Sequence, residues 1–148
     1  MVKKEAGRIR ELFPEARLYQ DKEATGKRLK SELSASDGLI HIAAHASRAS
    51  ENPLFSRILL EDGPFFPFDL FDMGIKAQLV TLSGCQTAAP GIYYGNSFSL
   101  AKTFYRNGAR FVLASLWSIS DKISAGFMDT FYSFWKDSGD ISAAYHAA

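Results

Sequence analysis

Two short apolar runs constrain the fold of this 148-residue chain more than any other feature of its sequence. The first run, Leu39 to Ala44, ends at His45, and the second, Gln78 to Gly84, ends at Cys85. Apolar runs of this length, bounded by polar or glycine-rich segments, are typical of strands that are buried on both faces. We therefore predict two buried strands, each with one chemically reactive residue at its carboxyl end.

Helical patterns separate the predicted strands along the chain. Amphipathic spacing predicts helices near residues 3–13, 25–33, 96–105 and 120–135, with Asn96 or Ser97 as the cap of the third, and another helix from Ile141. A third buried strand is predicted over residues 110–117. Residues 90–95, which are rich in glycine and tyrosine, are predicted to form a loop. Strands that alternate with helices at this spacing indicate the α/β class with a mainly parallel sheet.

The composition limits the classes of partner. The chain has 17 basic and 16 acidic side chains, so its charge gives no attraction to nucleic acid or to an anionic membrane. It has neither the ~20 consecutive apolar residues of a membrane span nor the apolar core of a signal peptide. A single cysteine excludes an internal disulfide and a multi-cysteine metal site. We expect a cytoplasmic protein with no nucleic-acid or membrane partner.

Cys85 and His45 are the candidate catalytic residues. A lone cysteine with a distant histidine is the outline of a nucleophilic cysteine enzyme, although a single cysteine at a strand end is more often a small buried apolar side chain. His41 and His45 are four residues apart, which in a helix would suit a metal pair, but their apolar neighbours favour a strand. We assign the acid–base role to His45 and a structural role to His41, and we expect no metal and no cofactor.

Four motifs, in order along the chain, resemble the CHAT domain, a branch of the caspase-like cysteine peptidases that also includes caspases and separase. That family has a strand ending in His-Gly, a strand ending in Ser-Ala-Cys-Gln-Thr-Ala or close to it, a helix ending near Gly-Ala-Arg, and a strand closing in Ser-Leu-Trp and an aspartate. The corresponding segments here are Ile42 to Ala46, Leu82 to Ala88, Asn107 to Arg110 and Ala114 to Asp121. The similarity covers roughly residues 5 to 148.

The resemblance implies a three-layer α/β/α sandwich and a cysteine endopeptidase with a Cys85–His45 dyad. The Cys85 thiolate would attack a peptide carbonyl, His45 would protonate the departing amine, and water would hydrolyse the acyl-enzyme. Backbone N–H groups of Cys85 and of residue 46 would hold the oxyanion. Residue 46 is Ala46 instead of the family's glycine, and a positive φ there would cost an alanine about 1 kcal/mol. The alternative is a catalytically impaired pseudo-peptidase that serves as an interaction or scaffold module.

The same resemblance implies a substrate pocket and partners. Relatives that cut after arginine or lysine often have an aspartate at the position of Ser83. The serine here therefore gives no support to a preference for a basic residue before the cleaved bond. Trp117 is the expected pocket wall, and Asp121 is either an acid near the pocket or the cap of the following helix. The expected partners are a protein or peptide substrate, and helical-repeat domains or a gating partner. Residues 1–148 are expected to be one CHAT domain, cut at both ends from a longer protein.

Overall fold

The computed structural model describes residues 2–148, with the side chains of residues 2–4, 93 and 121 outside the description. The chain divides into two compact units: Met1–Gln20 together with Ile119–Ala148, and Asp21–Ser118. The second unit holds every described strand and all the predicted site residues except Asp121. None of the described helices is long and apolar enough to cross a membrane.

A parallel three-stranded sheet forms the centre of the second unit. Its strands are β1 (Leu39–Ile42), β5 (Leu79–Leu82) and β8 (Phe111–Ala114), in the order β1-β5-β8. The central strand β5 is buried along its whole length, because apolar side chains cover a strand with neighbours on both edges. The α/β class and the mainly parallel sheet predicted from the sequence are confirmed, as expected for an α/β sandwich.

Two helices and a small antiparallel sheet complete the core of this unit. Helix α2 (Gly26–Ala35) begins after Thr25, whose hydroxyl accepts a hydrogen bond from the Arg28 N–H, and helix α3 (Leu100–Arg106) begins after Ser99. The antiparallel sheet has the order β2 (Ala46–Ser47), β3 (Arg57–Leu60) and β4 (Gly63–Phe65). The helices and both sheets share one apolar cluster, to which they contribute Leu33, Ile42, Ile58, Phe65, Val80, Leu82, Leu100 and Phe104.

The predicted strands are longer than the observed ones. β1 ends at Ile42 instead of His45, β5 ends at Leu82 instead of Cys85, and β8 ends at Ala114 instead of Trp117. Apolar or small residues continue past the end of each strand, but they no longer pair in the parallel ladder. His45, Ser83, Cys85 and Trp117 therefore lie in loops beyond the edge of the parallel sheet, whereas Ala46 lies in β2 and Asp121 begins the helix Asp121–Ser138.

The predicted loop at residues 90–95 is in fact most of a β-hairpin. Strands β6 (Gly91–Tyr93) and β7 (Asn96–Phe98) pair antiparallel, and the two residues between them, Tyr94 and Gly95, both have positive φ. Positive φ at both central residues is the backbone of a type I′ turn, whose twist matches that of the paired strands. Because Asn96 and Ser97 belong to β7, neither caps α3, and the predicted cap is wrong by two residues or more.

The unit formed by Met1–Gln20 and Ile119–Ala148 is helical. It contains α1 (Val2–Leu12), α4 (Asp121–Ser138) and α5 (Ile141–Ala147), as the amphipathic patterns predict. Phe131 and Tyr132 of α4 are buried, and the ring of Phe13 meets Tyr132 edge-on with centroids 6.0 Å apart. Aromatic edge-to-face contacts of this kind add to the burial of apolar area, so they stabilise α4 against the residues that follow α1.

Gly108 shows that one of the four family-like motifs has a structural role. Its φ is +120°, and a Cβ on Gly108 would collide with the Ile75 carbonyl oxygen. A side chain at this position would meet both backbone strain and steric overlap. The Asn107–Arg110 segment therefore turns the chain from α3 into β8, which delivers β8 beside β5.

Asp69 links α2 to the short 3-10 helix Pro67–Leu70. Burial raises the pKa of its carboxyl, but hydrogen bonds from the Phe66 N–H and the Lys30 ammonium, both 2.9 Å long, outweigh burial and hold the pKa below its ordinary value. Because the pKa of this carboxyl is lower in the folded protein than in the unfolded one, its ionised form stabilises the fold. This contribution is complete at pH values above the unfolded-state pKa, and it is lost as the pH falls through the folded-state pKa.

We predict that Asp69→Asn lowers the free energy of unfolding at pH 7 by about 0.5–1 kcal/mol, since Lys30 and Asp69 are partly exposed. The difference from the parent should persist above about pH 4, the ordinary aspartate pKa, and shrink as the pH is lowered further. Urea unfolding of both proteins over this range measures it. Asp37→Asn, at an exposed carboxylate, is the matched control, and an equal pH dependence in both variants contradicts the assignment.

Candidate functional site

The parallel register places His45 and Cys85 at equivalent positions. β1 pairs with β5 so that Ile42 lies opposite Leu82, a separation of 40 residues along the chain. His45 and Cys85 are also 40 residues apart, so each lies three residues beyond the last residue of its strand. Adjacent parallel strands end at the same edge of a sheet, where open α/β folds build their binding and catalytic sites.

Close backbone packing joins the loops that carry these two residues. The Ser83 N–H donates a hydrogen bond of 2.9 Å to the Ile42 carbonyl, which extends the contact between the two chains one residue past the ladder. Beyond it, a Cβ placed on Gly84 would lie 2.7 Å from the Ala44 carbonyl oxygen and 3.3 Å from the Ala46 Cβ. The residue before Cys85 thus packs against both residues that flank His45, and only glycine fits there without displacement.

A second junction holds the same two loops farther from the sheet. The Arg48 guanidinium donates a hydrogen bond of 2.8 Å to the Pro90 carbonyl, and the Gly91 backbone packs against the Pro53 ring. Arg48 and Pro53 follow His45 along the chain, whereas Pro90 and Gly91 follow Cys85. The histidine and cysteine loops are therefore tied together on both sides of the candidate residues.

Cys85 opens a tight turn, Cys85 to Ala88, that hydrogen bonds fix at both ends. At its start, the Ser115 hydroxyl donates to the Gly84 carbonyl at 2.8 Å, and the buried Thr87 hydroxyl lies 3.3 Å from the same oxygen. At its end, the Ala88 N–H donates to the Ser115 carbonyl at 2.8 Å. Ser115 follows directly after β8, so the third strand of the sheet holds the cysteine turn from its other side.

Gln86, directly after the cysteine, adopts a left-handed backbone with φ of +58°. This region costs residues other than glycine roughly 1–2 kcal/mol and often occurs at functional turns. The Gln86 carbonyl accepts a hydrogen bond from the Ala89 N–H at 3.1 Å, which closes the turn. The strained residue directs the chain back toward Ser115 and leaves the Cys85 side chain exposed.

The two backbone N–H groups assigned to the oxyanion donate none of the hydrogen bonds found among the described residues. The His45 carbonyl accepts a hydrogen bond from the Leu59 N–H at 2.8 Å, and bonds alternate along an antiparallel pair, so the Ala46–Ile58 pair is not hydrogen-bonded. The Ala46 N–H therefore points away from β3. Among the described residues, no acceptor is found for the Cys85 N–H either.

Ala46 is not strained in place of the family's glycine. It lies in the extended strand β2, and its φ is not positive. The possible cost of about 1 kcal/mol for a left-handed alanine therefore does not arise. The Ala46 methyl group instead lies beside Gly84. The family motif has the reverse arrangement, with an alanine before the cysteine and a glycine after the histidine.

The remaining predicted residues are distributed along the same unit, with one exception. Ser83 is half-buried beside Ile42, and Trp117, two residues beyond Ser115, is 65% exposed. His41 lies within β1 opposite Thr81, one residue before the strand ends, and its structural role stays a prediction. Asp121 is the first residue of α4, but its side chain lies outside the described residues, so its two predicted roles stay open.

Ser115 and Thr87 both lie within family-like motifs, Ser-Leu-Trp and Cys-Gln-Thr-Ala, but the motifs do not show what either hydroxyl binds. Both are common hydroxyl residues, and their significance depends on a carbonyl that is far from Ser115 in sequence. The motif match around Leu116 and Trp117 draws attention to the aromatic residue instead of the serine before it. Only the pairing of β8 with β5 brings Ser115 to Gly84.

Outside these loops the described residues form an open cleft, and no metal centre is found among them. The cleft has a volume of about 410 Å³ and lies under the β6–β7 hairpin, with Leu54, Phe71, Tyr94 and Arg106 among its lining residues. None of the predicted catalytic or pocket residues lines it. Within residues 2–148, no described group of three or more His, Cys, Asp or Glu side chains is placed to hold a metal ion.

Comparison with known proteins extends the motif similarity to the whole chain. The family model described as the CHAT domain matches residues 1–148. No curated protein matches the chain. The His45 and Cys85 segments therefore lie within a family match that is continuous from one end of the sequence to the other.

We predict that Gly84→Ala destabilises the protein by about 1–3 kcal/mol, since the added methyl group would meet the Ala44 carbonyl oxygen. Chemical unfolding measures the loss, and the alkylation rate of Cys85 reports whether the loop moves. Gly74→Ala is the matched control because a Cβ there meets no atom within 4 Å. Equal stability of the two variants contradicts the close packing.

We predict that Ala46→Gly lowers the free energy of unfolding by about 0.5–1 kcal/mol, the usual cost of glycine in a strand. It relieves no strain, because Ala46 has an extended backbone. Combined with Gly84→Ala, it should recover part of the loss, since it removes one of the two close contacts. Unfolding of the single and double variants tests this, and a more stable Ala46→Gly protein contradicts it.

Proposed function

This chain belongs to the CHAT-domain family, and from that premise we propose that it is a cysteine endopeptidase with Cys85 as the nucleophile and His45 as the acid–base residue. One observation carries the proposal: paired residues of β1 and β5 are 40 residues apart in the sequence, and so are His45 and Cys85. It is supported by the exposure of both side chains at the sheet edge, where a peptide can reach them.

The reaction begins with a proton transfer from the Cys85 thiol to the His45 imidazole. The thiolate attacks the carbonyl carbon of a peptide bond, and the electron pair of the C=O bond moves to oxygen. As that oxygen reforms its double bond, the C–N bond breaks, and the imidazolium gives its proton to the departing amine. A water molecule then hydrolyses the thioester, which releases the carboxylic acid and restores the thiol.

The backbone N–H groups of Cys85 and Ala46, which have no acceptor among the described residues, support this chemistry. Charge develops on the carbonyl oxygen in the transition state, and each correctly placed N–H group is worth roughly 10²–10³ in rate. The N–H groups of Cys85 and Ala46 are available for this role because neither is used in the described hydrogen bonding. The extended conformation of Ala46 keeps its N–H as a donor although the glycine of the family is missing.

The substrate we propose is a protein or a peptide. An extended peptide chain can approach the exposed edge where the two loops end, with Trp117 as an exposed apolar surface next to the Ser115 strand end. Ser83 contributes no charge, so the proposal includes no preference for a basic residue before the cleaved bond.

The test uses a peptidyl acyloxymethyl ketone that labels an activated thiol. Because Cys85 is the only cysteine, all thiol labelling reports on this residue. We predict that the parent reacts much faster than a free thiol, that Cys85→Ala abolishes labelling, and that His45→Ala slows it by roughly 10²-fold or more, the usual contribution of an acid–base group. Mass spectrometry and gel fluorescence measure the rates.

His146→Ala is the matched control, since His146 is exposed near the end of α5 and has no proposed role. It should label like the parent. Labelling of the parent at the rate of an ordinary thiol, with no effect of His45→Ala, would sink the peptidase proposal. That outcome would favour the alternative function, a folded pseudo-peptidase that serves as an interaction module.

A further inference from the structure

We propose that Ser115, assisted by Thr87, is a positioning residue that orients the Cys85 N–H toward the oxyanion; this rests on the proposed peptidase function. Neither side chain touches the substrate in this account. Both act through the carbonyl of Gly84, the group on the other side of the same peptide bond.

The hydrogen bonds to the Gly84 carbonyl have a fixed direction. A carbonyl oxygen carries no proton, so the hydroxyls of Ser115 and Thr87 must be the donors. The Ser115 bond is 2.8 Å long, which is typical of a strong O–H···O bond. The Thr87 hydroxyl lies 3.3 Å from both the Gly84 and the Leu82 carbonyls and has one proton to share between them.

The planarity of the peptide bond transmits this contact to the cysteine. In a trans peptide the C=O of one residue and the N–H of the next point in opposite directions. Ser115 and Thr87 hold the Gly84 oxygen on the β8 side, so the Cys85 N–H points in the opposite direction within the peptide plane, away from Ser115. A hydrogen bond accepted by the carbonyl also polarises the N–H and strengthens it as a donor.

The fold holds both donors in place. The Ser115 carbonyl accepts the Ala88 N–H at 2.8 Å, so one residue contacts the start and the end of the cysteine turn. Thr87 is 2% exposed, and its carbonyl accepts the Ala101 N–H from the first turn of α3 at 3.1 Å. Glycine at position 84 lets this peptide approach the Ala44 carbonyl while its own carbonyl faces Ser115.

The test compares two reagents that react with the same thiol. A tripeptide aldehyde forms a hemithioacetal: the S–C bond forms, and the carbonyl electron pair moves to an oxygen that needs the oxyanion donors. Iodoacetamide forms an S–C bond while its C–I bond breaks and iodide leaves, so no oxyanion develops. A change in N–H orientation should therefore affect the aldehyde and spare the alkylation.

We expect Ser115→Ala to weaken aldehyde binding about tenfold or more, below the ~10²–10³ effect of deleting an oxyanion donor. Its iodoacetamide rate should stay within about twofold of the parent. With a cleaved peptide substrate, kcat should fall while KM changes little, since the lost interaction acts in the transition state. Ser115→Thr keeps a hydroxyl and should restore most of the binding.

Thr87→Val should give a smaller loss than Ser115→Ala, because its hydrogen bond is longer and shared. Thr103→Val is its matched control: Thr103 is equally buried, and its hydroxyl donates to the Ser99 carbonyl at 2.9 Å within α3. Thermal unfolding of every variant identifies any that fails to fold. Equal loss of aldehyde binding in Thr87→Val and Thr103→Val overturns the role of Thr87.

Two outcomes separate this inference from the proposed function. A parent that forms no aldehyde adduct, although iodoacetamide alkylates it, contradicts the peptidase proposal. The positioning of the peptide is then read from the ¹⁵N shift of the Cys85 amide, which depends on the hydrogen bond to the Gly84 carbonyl. An unchanged shift in Ser115→Ala, or equal losses of aldehyde binding and alkylation rate, overturns the inference.

Discussion

The close approach of the Gly84 backbone to the Ala44 carbonyl is the contact on which the candidate site depends. The parallel ladder of β1 and β5 ends at Ile42 and Leu82, and the two chains leave it in different directions, one toward β3 and the other into the cysteine turn. Beyond the ladder, the Gly84 contact joins the His45 and Cys85 loops between the Ser83–Ile42 and Arg48–Pro90 hydrogen bonds. A side chain as small as a methyl group would push these two backbones apart.

The same contact explains the departure at position 46. In the family motif the methyl group belongs to the residue before the cysteine and the glycine follows the histidine, whereas here the two are exchanged. The Ala46 methyl lies 3.3 Å from the position that a Cβ on residue 84 would take, so methyl groups at both positions would crowd each other.

The sequence predicts the class of fold well and the details of the edge poorly. Periodicity predicts all five helices, although α3 begins later than predicted, and the apolar runs predict the three parallel strands, because buried positions select apolar side chains. It overextends each strand by three residues, because apolar or small residues also follow each strand and the sequence does not show where the pairing ends. It misses the β6–β7 hairpin, whose turn depends on backbone angles at Tyr94 and Gly95 instead of on an alternating pattern.

The sequence by itself determined the two reactive residues, their order and their spacing of 40, since each follows a strand that hydrophobic burial makes recognisable. Only the tertiary structure decided that this spacing equals the register of the parallel pair, that Ala46 is extended, and that Ser115 reaches the Gly84 carbonyl. These facts depend on hydrogen bonds and close contacts between segments far apart in the chain. Such contacts involve common residues, so no local pattern marks them.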